Sequence, residues 1–197
     1  MPIARRALLA GLGTSVLAQP SLAIPVRRIT DSRAKVTADT IWPEAERCFA
    51  AGGMSLQVTD VAGEVGRAPS GRPVFKGLAH GAINVVITDF VPLEWDQAHG
   101  LSGLTTQYDG FHLCLIAMRH AHGNQTPFFS VNTVVHEILH VLLGDIFQPR
   151  PKGADGASRE WRIDWFATRL WLFGDGAEIR RQGSSYFARL NPGPGPL

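Results

Sequence analysis

His136, Glu137 and His140 are the residues whose types and spacing point most directly to chemistry, because His136-Glu137-Ile138-Leu139-His140 reads H-E-x-x-H. On a helix, residues four apart lie one above the other on the same face. Both imidazoles can therefore aim a nitrogen at one metal ion. Glu137 stands about 100° further round. That puts its carboxylate beside the metal rather than on it, where it can take a proton from a metal-held water. The competing structural reading, a satisfied polar cluster, has to explain a cation-binding face inside an otherwise apolar helix. A catalytic zinc site needs three protein ligands and an open position for water, so a third ligand must be sought.

Two arrangements supply one. The first places a His or Asp six residues after the second histidine, followed by a methionine turn. Here the sixth residue is Ile146, Asp145 comes one residue too early, and Met1, Met54 and Met118 all precede the motif. The metzincin arrangement fails. The second arrangement draws a glutamate from the following helix. Glu160 lies 24 residues after His136, and Asp164 follows four residues later on the same face. Asp164 can accept the other ring N–H of a ligand histidine and fix its tautomer. The bland alternatives are a helix-start acid favoured by the dipole for Glu160, and an ion-pair partner of Arg159, Arg162 or Arg169 for Asp164.

The elements that must position these groups are an apolar helix and what precedes and follows it. Ser130 is the expected cap of a helix over 131–143, with Gly144 closing it. Val134, Val135, Ile138, Leu139, Val141 and Leu142 make it apolar on most sides, as in a helix crossing the middle of a domain. A second helix is expected from Arg159 to Phe173, capped by Ser158 and burying Ile163, Phe166, Ala167 and Leu170. A shorter amphipathic piece spans 176–190. Upstream, Asp39 or Thr40 can cap a helix with Pro43 in its first turn, ended by Gly52-Gly53. Three strands are expected at 54–59, 82–88 and 111–118. Residues 24–38 read as a loose lead-in, 62–73 and 145–157 as Gly/Pro loops, and 89–110 as a long connection, a candidate lid over the cleft. The outline is an α+β domain over 24–190 with a disordered tail at 191–197.

Composition narrows the function classes. With 45% hydrophobic and 18% charged residues in 197, the chain is an ordinary globular one. The net charge of +2 comes from Arg5 and Arg6; beyond residue 23 there are 17 basic and 17 acidic groups. That balance argues against a nucleic-acid partner. Residues 1–23 have the basic start, apolar run and small-residue end of a signal peptide, and Arg5-Arg6 fits the twin-arginine route loosely. The expected location is periplasmic or secreted. No later run approaches the length needed to span a bilayer. Cys48 and Cys114 can form one disulfide or stay as small buried hydrophobes.

The segments His136-Glu-Ile-Leu-His140-Val-Leu-Leu-Gly-Asp145 and Ser158-Arg-Glu160-Trp-Arg-Ile-Asp164 resemble the gluzincin metallopeptidases, in particular zinc endopeptidases of the heat-shock and prenyl-protein type. The match covers about thirty residues. It departs from that family in having Ile163 for the usual alanine and in lacking transmembrane helices. The resemblance implies a zincin-like fold, one Zn2+ held by His136, His140 and Glu160, Glu137 as general base, and Asp164 behind a ligand. The expected function is hydrolysis of peptide bonds in peptides or proteins. Other classes are a zinc amidase acting on cell-wall peptides and a non-catalytic zinc-binding protein. The oxyanion needs a second stabiliser, for which Tyr186, Arg169 and Arg180 are candidates. A peptide would lie along a strand edge, at 82–88 or 111–118. His112, His120 and His122 read as structural or surface residues.

Overall fold

The computed structural model describes residues 21–35, 38–92, 101–121, 123, 132–144 and 156–190. In chain order the elements are β1 (Leu22–Asp31), α1 (Trp42–Ala51), β2 (Met54–Gly63), β3 (Val65–Arg67), β4 (Pro73–Phe75), β5 (Ile83–Thr88), β6 (Gly103–Tyr108), β7 (Phe111–Ala117), α2 (Thr133–Leu142), α3 (Gly156–Phe173) and α4 (Ala177–Leu190). The class is α+β, with a five-stranded sheet in the order β2-β1-β5-β7-β6. Four strands run parallel; β6 alone pairs antiparallel, with β7.

Parallel strands are stable where both faces are covered, and both are covered here. On one face Ile24, Val85, Ile87, Cys114 and Ile116 pack with α1, α2 and α3. On the other, Val86, Leu113 and Leu115 pack with Phe75 of the separate β3–β4 hairpin. Every residue of β5 is buried. This two-sided burial explains why β5 and β7 read as unbroken apolar runs rather than alternating ones.

Several expectations are corrected. The supposed lead-in at 24–38 contains most of β1, an inner strand paired with β2 from Leu22↔Met54 to Asp31↔Gly63 and with β5 from Val26↔Ile83. Arginines that look like surface charge are accommodated at its flanks: Arg28 bonds Asp60 at 2.5 Å and lies 4.8 Å over the Trp42 ring. The expected loop at 62–73 instead holds the end of β2, β3 and the start of β4. The connection at 89–110 contains β6, which returns into β7 through Asp109-Gly110. Both residues have positive φ, 47° and 82°, as a two-residue type I′ hairpin turn requires. Neither 82–88 nor 111–118 is an edge, since β5 and β7 are interior and β6 is outermost.

The helices match more closely. α1 buries Trp42, Ala45, Cys48 and Phe49, with proline in its first turn and no side-chain cap. α3 begins at Gly156, so Ser158 lies inside it rather than at its cap; Ile163, Ala167 and Leu170 are buried as expected. Cys48 and Cys114 are both buried and form no disulfide, so they pack as small hydrophobes. Of the expected leader at 1–23, residues 1–20 lie outside the described residues, while Leu22 and Ala23 belong to β1, so the expected boundary at 23 falls inside a strand. Residues 93–100 of the candidate lid at 89–110, Ser130 and the tail at 191–197 also lie outside the described residues. Among the described residues no helix is long and apolar enough to cross a membrane.

α2 begins at Thr133 and is capped by Asn132 rather than by the expected Ser130. Its side-chain oxygen accepts from Val134 N at 3.0 Å and Val135 N at 3.2 Å, while its amide nitrogen donates to Ile41 O at 2.8 Å. One side chain thus closes the start of α2 and ties it to the start of α1. Asn132→Ala is expected to lower unfolding stability by about 1–2 kcal/mol in urea titration, as loss of a good N-cap does. An unchanged midpoint would show the cap to be dispensable.

Candidate metal centre

The site is assembled by α2 and α3. Four-residue spacing stacks His136 and His140, whose rings stand 4.8 Å apart at 70°. α3 brings Glu160 across. His136 Nε2 lies 3.0 Å from Glu160 Oε2, His140 Nε2 lies 3.1 Å from His136 Nε2, and His140 Nε2 lies 3.5 Å from Glu160 Oε2. A tetrahedral metal with bonds of about 2.0–2.1 Å sets its ligand atoms about 3.3 Å apart. The triangle fits that edge length. Among the described residues, His136, His140 and Glu160 form a group that can hold a metal ion.

Asp164 completes the support. Its Oδ1 is 3.0 Å from His136 Nδ1, so a proton held on Nδ1 leaves the Nε2 lone pair turned toward the triangle. Burial alone lowers the His136 pKa, but hydrogen bonds to Asp164 and Glu160 and the charges of Glu137 and Glu160 outweigh it and lift it to about 10. Hydrogen bonds with His136 and His140 in turn hold Glu160 well below the usual carboxylate range.

Glu137 is treated differently. It is buried and lies outside the ligand group. Thr105 of β6 donates to its Oε2 at 2.6 Å. Burial raises the Glu137 pKa against the lowering by both histidines and by Thr105. The backbone of Gly103 comes so close that a Cβ there would sit 2.4 Å from Glu137 Oε1 and 2.7 Å from its Cγ. β6 therefore fixes the position of the glutamate from the side opposite α3.

All five site residues expected from the sequence thus meet in one place. Gly103 and Thr105 were not among them. The signal that could have found them is the Asp109-Gly110 turn, which folds the β-branched pair Thr105-Thr106 back against β7. The oxyanion candidates divide. Arg169 is held by Asp175 and Arg180 by Gly52 O, so both serve the packing of the helix ends. Tyr186 is buried against His112, ring centroids 5.0 Å apart. His120 lies against Phe90, and Asp145, Asp155 and His122 lie outside the described residues.

No protein-family model, curated protein or solved structure matches this chain. The candidate metal centre accordingly stands on its own geometry.

The raised pKa fixes a proton count. In the metal-free protein, His136 keeps its proton as pH rises past 6.5 toward about 10. Its contribution to stability is therefore complete below 6.5 and disappears as pH rises through the folded value. A metal takes the neutral imidazole and displaces that proton. Titrating Zn2+ or Co2+ near pH 7.5 is expected to release about one proton per site, read by calorimetry in buffers of different ionisation enthalpy. Asp164→Asn is expected to reduce that release. Proton-neutral uptake by the wild type would contradict the His136 environment described above.

Proposed function

We propose that this protein is a zinc-dependent metallopeptidase of the gluzincin kind, with a zincin-like fold, which hydrolyses peptide bonds with water activated by Glu137. The observation that supports it most is the division of labour among the carboxylates. Glu160 joins two imidazoles in a triangle of tetrahedral dimensions, Asp164 backs one imidazole, and Glu137 stands buried beside the triangle with its own support. A structural metal site has no use for that last group.

His136, His140 and Glu160 would hold the zinc ion, which would supply Lewis acidity to a carbonyl and to a water near neutral pH. Glu137 takes the proton from the attacking water and passes it to the leaving amine. Its burial moves its pKa upward, toward the pH at which a general base is most effective. Thr105 and Gly103 restrict the carboxylate to one position, which avoids the rate loss that accompanies a misplaced group. β6 is an edge strand and lies against α2. An extended peptide adding to that edge brings its backbone past Glu137.

Export belongs to the same proposal. Leu22 and Ala23 are already paired in β1, and Leu22 packs where a Cβ on Gly183 would strike it. A cut before Leu22 preserves the strand, so the N-terminus of the processed protein is expected at or before that residue.

Zinc content and cleavage of casein or a peptide library test the reading. Glu137→Gln is expected to keep about one zinc and lose about 10²–10⁴-fold in rate. Glu160→Ala is expected to lose zinc retention itself. Gly103→Ala, which pushes on Glu137 without touching a ligand, is expected to follow Glu137→Gln. A wild type that holds zinc but cleaves nothing the Gln variant spares would overturn the enzyme reading.

A further inference from the structure

α3 is apolar on two opposite sides. At about 100° per residue, Ile163, Ala167 and Leu170 fall on one side and are buried in the core that α1 and α2 share. Trp161, Trp165 and Leu172 fall on the other, and are 67%, 48% and 40% exposed. Trp171, at the border of this stripe, is 37% exposed. Among the described residues, five of the six exposed large hydrophobic side chains belong to this one helix, Phe173 at its end being the fifth. A surface helix of a globular protein carries one apolar stripe toward its core; a second stripe calls for a second covering.

The stripe is shaped for another helix. Along Trp161, Trp165, Thr168 and Leu172 the steps are four, three and four residues, the spacing of a coiled-coil seam. Trp161 and Trp165 stack with ring centroids 5.8 Å apart and 13° between their planes, and the Arg169 guanidinium lies 5.7 Å from the centre of the Trp165 ring. The indoles are thus held in one arrangement before anything meets them, which lowers the entropy cost of docking.

Area and charge argue for a second copy of this chain as the occupant. Large aromatic side chains bury about 150–250 Å² each, so the exposed fractions of Trp161, Trp165, Trp171 and Leu172 leave about 400 Å² of apolar surface. Two copies meeting on the stripe remove about twice that from water. With the apolar share of about 65% usual in homodimers, the contact totals about 1,200 Å², above the roughly 1,000 Å² that a specific interface needs. Charges of opposite sign flank the stripe: Asp164, 53% exposed, on one side and Arg169, 43% exposed, on the other. Parallel helices about a two-fold axis set unlike flanks against each other, whereas antiparallel helices set like against like. The parallel arrangement brings the partner's Arg169 toward Asp164.

We propose that this protein forms a two-fold homodimer in which the outer stripes of two α3 helices pack side by side and parallel, Trp161, Trp165 and Leu172 covering their counterparts. The pairing borders the metal centre, since Glu160 and Asp164 precede the two indoles in sequence. It depends on no metal and on no reaction.

Sedimentation velocity on the full chain from about 1 to about 200 μM is the test, because interfaces of this size dissociate in the micromolar range or below. The wild type is expected to move from monomer mass toward twice that mass, with tryptophan emission shifting to the blue over the same range. Trp165→Glu and Leu172→Glu each set a like charge against itself across the axis. Each is expected to weaken association about tenfold or more, with circular dichroism unchanged because both positions are exposed. Leu172→Cys is expected to cross-link to itself under mild oxidation, while the wild type, whose two cysteines are buried, does not. A monomer at every concentration overturns the proposal, and a blue shift of that monomer on phosphatidylcholine vesicles or on casein gives the stripe to a membrane or a peptide instead. A dimer that survives both glutamates overturns it by placing the interface elsewhere. A dimer in which Leu172→Cys fails to cross-link overturns the parallel pairing.

Discussion

A helix buried on nearly every side can carry ionisable groups only if each meets a partner, and α2 carries two histidines and a glutamate. Glu137 is 5% and His140 6% exposed, and leaving such groups unpaired in an apolar interior costs several kcal/mol. The partners arrive from two directions. β6 supplies Thr105 to the glutamate, and α3 supplies Glu160 and Asp164 to the histidines. The reversal at Asp109-Gly110, the antiparallel outer strand and the position of α3 across α2 are conditions for burying this one helix. The packing problem and the chemical problem have the same solution.

This also explains which parts of the molecule were legible in the sequence. The α2 stripe stood out because two histidines and a glutamate interrupt a run that is otherwise apolar all round, and Glu160 and Asp164 follow with helical spacing. Those relations are local or span one connection. β1 was hidden because Arg27 and Arg28 suggest solvent, whereas Arg28 leaves the strand for Asp60 and Trp42. β6 was hidden for another reason. It starts at a glycine, is half-buried, and has little of the apolar alternation that marks a strand. Thr105 meets Glu137 only once the β6–β7 register is known, with Thr105 opposite Cys114. No spacing along the chain expresses that relation.

The two sides of the centre differ in their access to water. Glu137 is sealed between α2 and β6, while Glu160 and Asp164 are more than half exposed on α3. Trp161 and Trp165 stack beside them, ring centroids 5.8 Å apart, and both remain open to solvent. Glu160 thus sits at a boundary between apolar interior and water. Screening is weaker toward Glu137 and stronger toward the carboxylates that meet the histidines.

β1 has a consequence for the order of folding. It is the first strand made and an inner one, yet its partners come late: Leu22 waits for Met54, and Val26 waits for Ile83. The β6–β7 hairpin closes through two residues and α2 needs only its own turns, so these local pieces can form quickly. The sheet becomes continuous only when β1 slots between β2 and β5. Closure of the sheet is therefore a long-range event that joins β2 on one side of β1 to β5 on the other.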